Sequence, residues 1–199
     1  MKMILSRMIV AGMFLVFIAL ASGAGAAGSG GKDEPAEQRP LITVERVDLA
    51  RYMGKWYEIA TITAPFQKDC AGGTTATYTA LPDGTVEVLN QCCQADGTLK
   101  QARGRAWVDD AATNAKLKVS FIPWLRLSFL AGDYWIIDLG PDYEYAVVGH
   151  PSRRYGWILG RASELPADVL AGIKQRLTEQ GYDVDRFKMT DQKNFGPGK

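Results

Sequence analysis

An aromatic and a basic residue, more than a hundred positions apart, carry the strongest chemical signal in this sequence. Trp56 lies in the run 54–60 (GKWYEIA), and Arg161 ends the run 156–161 (GWILGR). A guanidinium group can stack on an indole ring and be attracted by it. If these runs are the first and last strands of a small barrel, the contact seals one end. A barrel of about eight strands has room for one small ligand, so the pattern favours a closed barrel with an apolar guest.

Cys70, Cys92, Cys93 and the single histidine, His150, could carry thiol or metal chemistry. No histidine lies near the cysteines in the sequence, so a zinc site built from both residue types is not expected. The carboxylates are scattered through predicted turns and outer faces, and neither a phosphate-binding loop nor a metal-ligand spacing is present. We therefore predict that the protein is not an enzyme and uses neither a metal nor a cofactor.

Composition and the start of the chain indicate an exported, single-domain protein. The 199 residues carry a formal net charge of +1, which argues against a nucleic-acid partner. Residues 1–27 combine a basic start, a short apolar stretch and small residues, the pattern of a cleaved export signal; an uncleaved membrane anchor is the alternative. Residues 28–41 predict a flexible linker, and the folded domain is expected at 42–199.

Short runs of alternating residues, separated by turn residues, fill most of the predicted domain. Turns such as 82–84 (PDG) and 140–142 (GPD) connect neighbouring runs. Eight short strands with short connections close most simply as a barrel without exposed edges. We predict an all-β fold, an eight-stranded antiparallel up-and-down barrel, with strands at 54–61, 74–81, 85–92, 100–108, 116–121, 133–139, 143–150 and 155–161.

One helix follows the predicted strands. Val169, Leu170, Ile173 and Leu177 form an apolar stripe on an otherwise charged segment. The stripe predicts a C-terminal helix around residues 166–180 that packs against the outside of the barrel. A short final strand is expected at 186–190.

This arrangement resembles the lipocalin family over about residues 45–195. The resemblance is especially close to the bacterial outer-membrane lipocalins and apolipoprotein D. A lipoprotein cysteine after the export signal is missing here, and the adjacent pair Cys92 and Cys93 also departs from the family pattern. The motifs that carry the resemblance appear in the family's order: Gly54-Lys55-Trp56, then Asp138 with Tyr143 and Tyr145 in a looser form, then Arg161, with the segments 47–60, 117–121 and 190–192.

The resemblance implies that Trp56 and Arg161 close one end of the barrel and that loops surround an open end. Alternate connections of an up-and-down barrel lie at the same end, so Cys70 and Cys92 should both lie at the open rim. We predict a disulfide between Cys70 and Cys92, with Cys93 free. A bridge between Cys70 and Cys93 is the alternative.

Strand alternation and the resemblance together predict the lining of a cavity. Alternation puts Trp157 on the interior side of its strand and groups Val88 with Asn90, while the resemblance adds the remaining aromatic residues. An amphiphile would place its tail toward an apolar closed end and its head toward the rim. A solid core is the alternative, although buried Tyr and Asn side chains would then need partners. The predicted ligand-binding residues are Tyr78, Val88, Asn90, Phe121, Tyr134 and Trp157.

The run 122–130 is unusually apolar for a loop at the rim. Two roles stay open for it: contact with a membrane or partner, and a lid over the cavity.

We predict that the protein binds, stores or transports a lipid or similar amphiphile, such as a fatty acid or lysophospholipid, near the cell envelope. It would be periplasmic or secreted, with outer-membrane association as a further option. The alternatives are an envelope interaction module that uses residues 122–130 and a thiol-dependent enzyme in which Cys93 faces the cavity.

Overall fold

The computed structural model describes residues 39–122 and 131–195. The predicted export signal, most of the predicted linker and residues 123–130 of the apolar loop lie outside the described residues. No helix in the described ranges is long and apolar enough to cross a membrane.

Short 3-10 turns occur at Pro65–Gln67 and Val184–Arg186. The helices and strands are α1 (Leu49–Tyr52), β1 (Gly54–Ile62), β2 (Gly72–Ala80), β3 (Val86–Cys93), β4 (Leu99–Val108), β5 (Lys116–Ser120), β6 (Gly132–Leu139), β7 (Tyr145–Gly149), β8 (Gly156–Gly160), α2 (Ala167–Glu179) and β9 (Lys188–Met189).

The strands form a closed antiparallel barrel. Each strand from β1 to β8 pairs with the next, and β1 also pairs with β8, which closes the wall. The predicted eight-stranded up-and-down barrel is confirmed, and each strand end lies within about two residues of its predicted position, an ordinary difference for element boundaries. The connections β1–β2, β3–β4, β5–β6 and β7–β8 share one end, which is the open rim.

Buried apolar side chains form two clusters on opposite faces of the barrel wall. The inner cluster includes Trp56, Val88 and Leu159. The outer cluster joins Ile173 and Leu177 of α2 to the outward side chains of the wall. The predicted packing of the C-terminal helix on the outside is therefore confirmed.

One residue of the predicted linker packs against the barrel wall. Leu41, predicted as the last linker residue, is buried in the outer cluster. The neighbouring Ile42 N–H donates a hydrogen bond to Gln180 Oε1 at 2.9 Å. The apolar side chain of Leu41 therefore contributes to the packing around α2.

A sealed end forms where Arg161 lies on Trp56. The Arg161 Cζ atom is 3.8 Å from the centre of the Trp56 ring, and Trp56 is fully buried. The guanidinium donates hydrogen bonds to the carbonyls of Lys55 at 3.0 Å and Arg51 at 2.6 Å. Trp56 Nε1 donates to the Tyr52 carbonyl at 2.9 Å. Carbonyls at the end of α1 that lack helical partners are thus satisfied by the two side chains that form the plug.

The sequence analysis did not predict the single-turn helix α1, which supports this plug. Asp48 caps the helix by accepting hydrogen bonds from the Ala50 and Arg51 N–H groups. Gly54 then begins β1 with a φ of +95°, in the left-handed region that favours glycine. A side chain there would also meet Arg161 Nη1 at 3.3 Å. Glycine therefore allows the chain to turn from α1 into β1 directly beneath the guanidinium.

The C-terminal segment completes the wall near the open end. β1 and β2 pair only between Gly54–Tyr57 and Thr75–Tyr78. Closer to the open end, at Ala60 and Thr61, β1 pairs with β9 instead. Gln192 Nε2 donates to the carbonyls of Glu58 and Thr74, both at 2.8 Å, and so bridges the two strands. Backbone carbonyls that the separation of β1 from β2 would leave unpaired are satisfied in this way.

We expect Arg161→Ala to lower the free energy of unfolding by about 1–3 kcal/mol, through loss of the stacking contact and two charge-assisted hydrogen bonds. Chemical denaturation measures the change. The matched control is Arg103→Ala, since Arg103 pairs with Glu87 and its side chain is 63% exposed; it should cost less than about 1 kcal/mol. Equal effects of the two substitutions would contradict the plug's role.

Candidate functional site

A cavity of about 590 Å³ lies inside the barrel and opens at the rim. Its size falls within the range of roughly 300–1,000 Å³ found for small-molecule pockets. The interior is therefore a lined space and not a solid core. All six residues predicted from the sequence line it: Tyr78, Val88, Asn90, Phe121, Tyr134 and Trp157. Further lining residues outside this set of six include Glu58, Gln67, Ala102 and Val119.

The predicted lining residues occupy different depths. Trp157 pairs with Thr61 near the open end of the barrel, and Phe121 directly follows β5 at the rim. Phe121 is 38% exposed. Tyr78 lies opposite Gly54, close to the plug. A long ligand that enters from the rim would pass Phe121 and Trp157 before it reaches the tyrosine.

Three tyrosine hydroxyl groups meet at the bottom of the cavity. Tyr134 Oη lies 2.8 Å from both Tyr52 Oη and Tyr78 Oη. Burial raises the pKa of Tyr78 to about 12 and raises the pKa values of Tyr52 and Tyr134 well above their usual range. All three groups therefore keep their protons at neutral pH. Two hydrogen bonds use two of the three protons, so one O–H can still donate to a bound molecule or solvent.

The prediction of an apolar closed end is wrong, because three hydroxyl groups lie there. The aromatic rings do give the bottom an apolar lining, but they bring their hydroxyl groups together above the plug. The hydroxyls satisfy one another, which makes their burial tolerable.

A carboxylate lies within the cavity wall at mid-height, which the sequence analysis missed. Glu58 is only 5% exposed and lines the cavity. Its Oε1 accepts a hydrogen bond from Thr190 Oγ1 at 2.6 Å, and its Oε2 accepts one from Gln67 Nε2 at 2.7 Å. Trp157 Nε1 in turn donates to Gln67 Oε1 at 3.1 Å. An indole N–H can only donate, so it fixes the orientation of the Gln67 amide and makes Gln67 a donor to Glu58.

Burial raises the pKa of Glu58 above the ordinary value of a glutamate, while the hydrogen bonds from Thr190 and Gln67 act in the opposite direction. The expectation that the carboxylates lie in turns and on outer faces is wrong at this position. Glu58 lies two residues after the inward Trp56, so strand alternation was the signal that could have found it. Its partner Thr190 is 132 residues away in the sequence and gave no local signal.

The disulfide holds the loop that carries Gln67. Cys70 and Cys92 are bonded, with their Cα atoms 5.6 Å apart, which confirms the predicted pairing. The Cys70 N–H donates to the Gln67 carbonyl at 3.0 Å, so the bridge anchors the turn that places Gln67 over the cavity. A loop of this length should stabilise the fold by about 3 kcal/mol in the chain-entropy model.

Cys93 is free, and its Sγ lies 3.6 Å from the Phe195 carbonyl. It is not among the residues that line the cavity. The inward thiol that the thiol-enzyme alternative required is therefore not found.

Two ion pairs lie at the rim of the cavity. Lys100 Nζ lies 2.9 Å from Asp69 Oδ2, and Lys118 Nζ lies 2.6 Å from Asp133 Oδ1. His150 Nε2 is 3.9 Å from the other oxygen of Asp133, and burial lowers the pKa of the imidazole. In the described part of the chain, no cluster of three or more His, Cys, Asp or Glu residues could hold a metal ion.

A barrel sealed at one end, with a mostly apolar cavity open at the other, defines a protein built to enclose a small ligand. Comparison with known proteins identifies the family. Residues 47–192 match the model of the lipocalin-like domain. The chain belongs to the lipocalin family, whose members bind small hydrophobic ligands.

Relatives from plants, bacteria and animals support the assignment. The chain is 37% identical to temperature-induced lipocalin-1 of Arabidopsis thaliana, with 81% of this chain and 88% of the relative covered. It is 35% identical to the outer membrane lipoprotein Blc of Escherichia coli, with 79% and 86% covered. For apolipoprotein D of Mus musculus the identity is 36%, with 75% and 79% covered. Insecticyanin from the tobacco hornworm Manduca sexta shares the fold, with a TM-score of 0.60 at 18% identity over 77% of this chain and 85% of that one.

We expect the stability difference between Glu58→Gln and the unsubstituted protein to depend on pH. The folded state holds the Glu58 proton more tightly than the unfolded state does, because its pKa is raised. Its contribution is therefore most favourable at low pH and is lost as pH rises through the folded-state pKa. Between about pH 4 and about pH 8, the unsubstituted protein should lose stability relative to Glu58→Gln, by about 1.4 kcal/mol for each unit of pKa elevation.

Urea denaturation at several pH values measures this difference. Glu87→Gln is the control because Glu87 lies on the exposed outer face and pairs with Arg103. Its effect should stay within about 0.5 kcal/mol at each pH. A Glu58→Gln difference that does not change with pH would contradict the placement of the carboxylate.

Proposed function

We propose that the protein binds one lipid or similar amphiphile, such as a fatty acid or lysophospholipid, in the barrel cavity. In this proposal the alkyl chain lies between Trp157, Val88 and Tyr134, and the polar head remains near Asn90 and the rim. The protein stores or carries the molecule and does not transform it. The observation that carries the proposal is the sealed, mostly apolar cavity of about 590 Å³ with polar groups at a few places.

The energetics of burial support a long apolar guest. Removing roughly 300 Å² of alkyl surface from water at about 25 cal/mol per Å² contributes about 7 kcal/mol before the costs of association. A charged head group placed at the bottom would lose its hydration without gaining an ionic partner. The rim, by contrast, leaves the head group in contact with water.

The proposal includes action outside the cytoplasm, near the cell envelope. The apolar start of the chain has the pattern of an export signal, and the disulfide suits an oxidising compartment. One relative is by name an outer membrane lipoprotein. Residues 121 and 122, which border the apolar loop, are partly exposed at the rim, so peripheral contact with a membrane through residues 122–130 is part of the proposal.

We expect Trp157→Ala to weaken the binding of a fluorescent, zwitterionic lysophospholipid by about 1–3 kcal/mol, through lost contact with the chain. Fluorescence titration measures the affinity. Trp135→Ala is the matched control because Trp135 packs with the outer cluster, under Lys116. It removes the same side chain from the opposite face of the wall and should leave the affinity unchanged. An unaltered affinity in a Trp157→Ala protein that still unfolds cooperatively would exclude the proposed binding position.

A further inference from the structure

The buried carboxylate of Glu58 lies in the wall of the proposed binding cavity. Its side chain faces a cavity whose other walls are mainly apolar, and the end of β1 at Ile62 lies four positions further along the strand. At about 3.3 Å per residue, this places Glu58 roughly 13 Å below the strand's end. A head group held at the rim therefore lies within electrostatic reach of the carboxylate.

The charge of Glu58 is not compensated in the way that the other cavity charges are. Among the described residues that line the cavity, the carboxylates are those of Glu58 and Asp133, and Asp133 is paired with Lys118. The lining lysine, Lys100, is paired with Asp69. Glu58 has neutral hydrogen-bond partners, Thr190 and Gln67. An ionised Glu58 therefore leaves a negative charge inside the cavity.

The hydrogen-bond network accommodates both protonation states. Gln67 must donate to Oε2, because Trp157 occupies the Gln67 carbonyl oxygen. A proton on Glu58 therefore belongs on Oε1, where the Thr190 hydroxyl can accept it after rotating. Glutamine at position 58 reproduces this neutral state, with its amide N–H₂ toward Thr190 and its carbonyl toward Gln67.

We propose that Glu58 selects ligands by head-group charge: ionised, it disfavours anionic amphiphiles and favours neutral or cationic ones, and protonated, it removes this preference. This inference rests on the proposed function and specifies the class of amphiphile that the cavity accepts. At a pH where Glu58 is ionised, a fatty acid carboxylate is disfavoured relative to an uncharged or cationic head group on the same chain. Acidification admits the anionic ligand.

The side chains packed directly against Glu58 carry no charge that could produce such selectivity. β2 contributes Thr74 and Thr75 to the cavity, and β8 contributes Trp157 and Leu159, none of them ionisable near neutral pH. The C-terminal segment presents Thr190 and Gln192, and its charged residues Lys188, Asp191 and Lys193 lie toward the exterior. The turn that carries Gln67 also carries Lys68 and Asp69, which are exposed. Across the cavity lie Lys100, which is paired with Asp69, and Asp133, which is paired with Lys118 and lies beside His150. The tyrosines at the bottom are protonated.

The test uses three probes with the same chain and with charges that do not change with pH: dodecanesulfonate, dodecanol and dodecyltrimethylammonium, each below its micelle concentration. Their affinities are measured by displacement of a fluorescent lysophospholipid between about pH 4 and about pH 9. In the unsubstituted protein at high pH, the cation should bind about 10- to 100-fold more tightly than the sulfonate, because Glu58 attracts the one and repels the other. This is the range expected for unit charges roughly 12–25 Å apart at an effective dielectric constant of about 20. The ratio should fall toward one at low pH.

Glu58→Gln should show the low-pH ratio at every pH, and Glu87→Gln should behave as the unsubstituted protein does. Gln67→Ala removes a donor that favours the ionised form, so it should move the midpoint of the pH dependence upward. This variant keeps the test decisive if Glu58→Gln does not fold. A charge preference that is the same at every pH, or that persists in Glu58→Gln, overturns the proposal that Glu58 selects the head group. It leaves the proposed function intact. If none of the three probes binds, the proposed function fails as well.

Discussion

The contact between Arg161 and Trp56 is the interaction on which the rest of the structure depends. A barrel that keeps an open interior cannot fill its centre with side chains, so its ends must be held by specific contacts. The guanidinium lies 3.8 Å from the indole centre and ties the end of β8 to the carbonyl of Arg51 in α1 and to that of Lys55 at the start of β1. One side chain thus fixes α1, the start of β1 and the end of β8 together. The tyrosine cluster forms the bottom of the cavity directly above this plug.

The open half of the barrel is held differently. β1 and β2 separate there, and the wall is completed by β9 and by the Gln192 amide, which bridges the two strands. The Cys70–Cys92 disulfide anchors the loop over the mouth. The separation of the strands also gives Glu58 its partners, since Thr190 of the C-terminal segment and Gln67 of the anchored loop both reach the carboxylate. The same features that complete the wall therefore also place a titratable group inside it.

The sequence predicted what depends on local pattern and short connections. Alternation and turn residues located the eight strands, and the stripe containing Ile173 and Leu177 located α2, because each element shows its own period in the sequence. Alternation placed Trp157 inside and grouped Val88 with Asn90, and the family resemblance added the other predicted lining residues. All six line the cavity. Topology placed Cys70 at the same end of the barrel as Cys92 and left Cys93 as an alternative partner, and the structure has the predicted Cys70–Cys92 bond.

The features that the sequence did not predict depend on contacts between distant segments. Glu58 was missed because a glutamate is rarely buried, and its partner Thr190 lies 132 residues away. A register shift between Glu58 and Ala60 interrupts the alternation just beyond it. The single turn of α1 is too short to show a helical period, and its stability comes from the Asp48 cap and the plug. The meeting of three tyrosine hydroxyls required three separate segments to converge.

The central claim, that the cavity holds one amphiphile, is tested most directly by native mass spectrometry of the protein titrated with an unlabelled lysophospholipid. The account predicts a single added ligand mass per chain that saturates, because the cavity has room for one chain and is closed at its lower end. A protein that binds no ligand, or that takes up several without saturation as a surface would, contradicts the account.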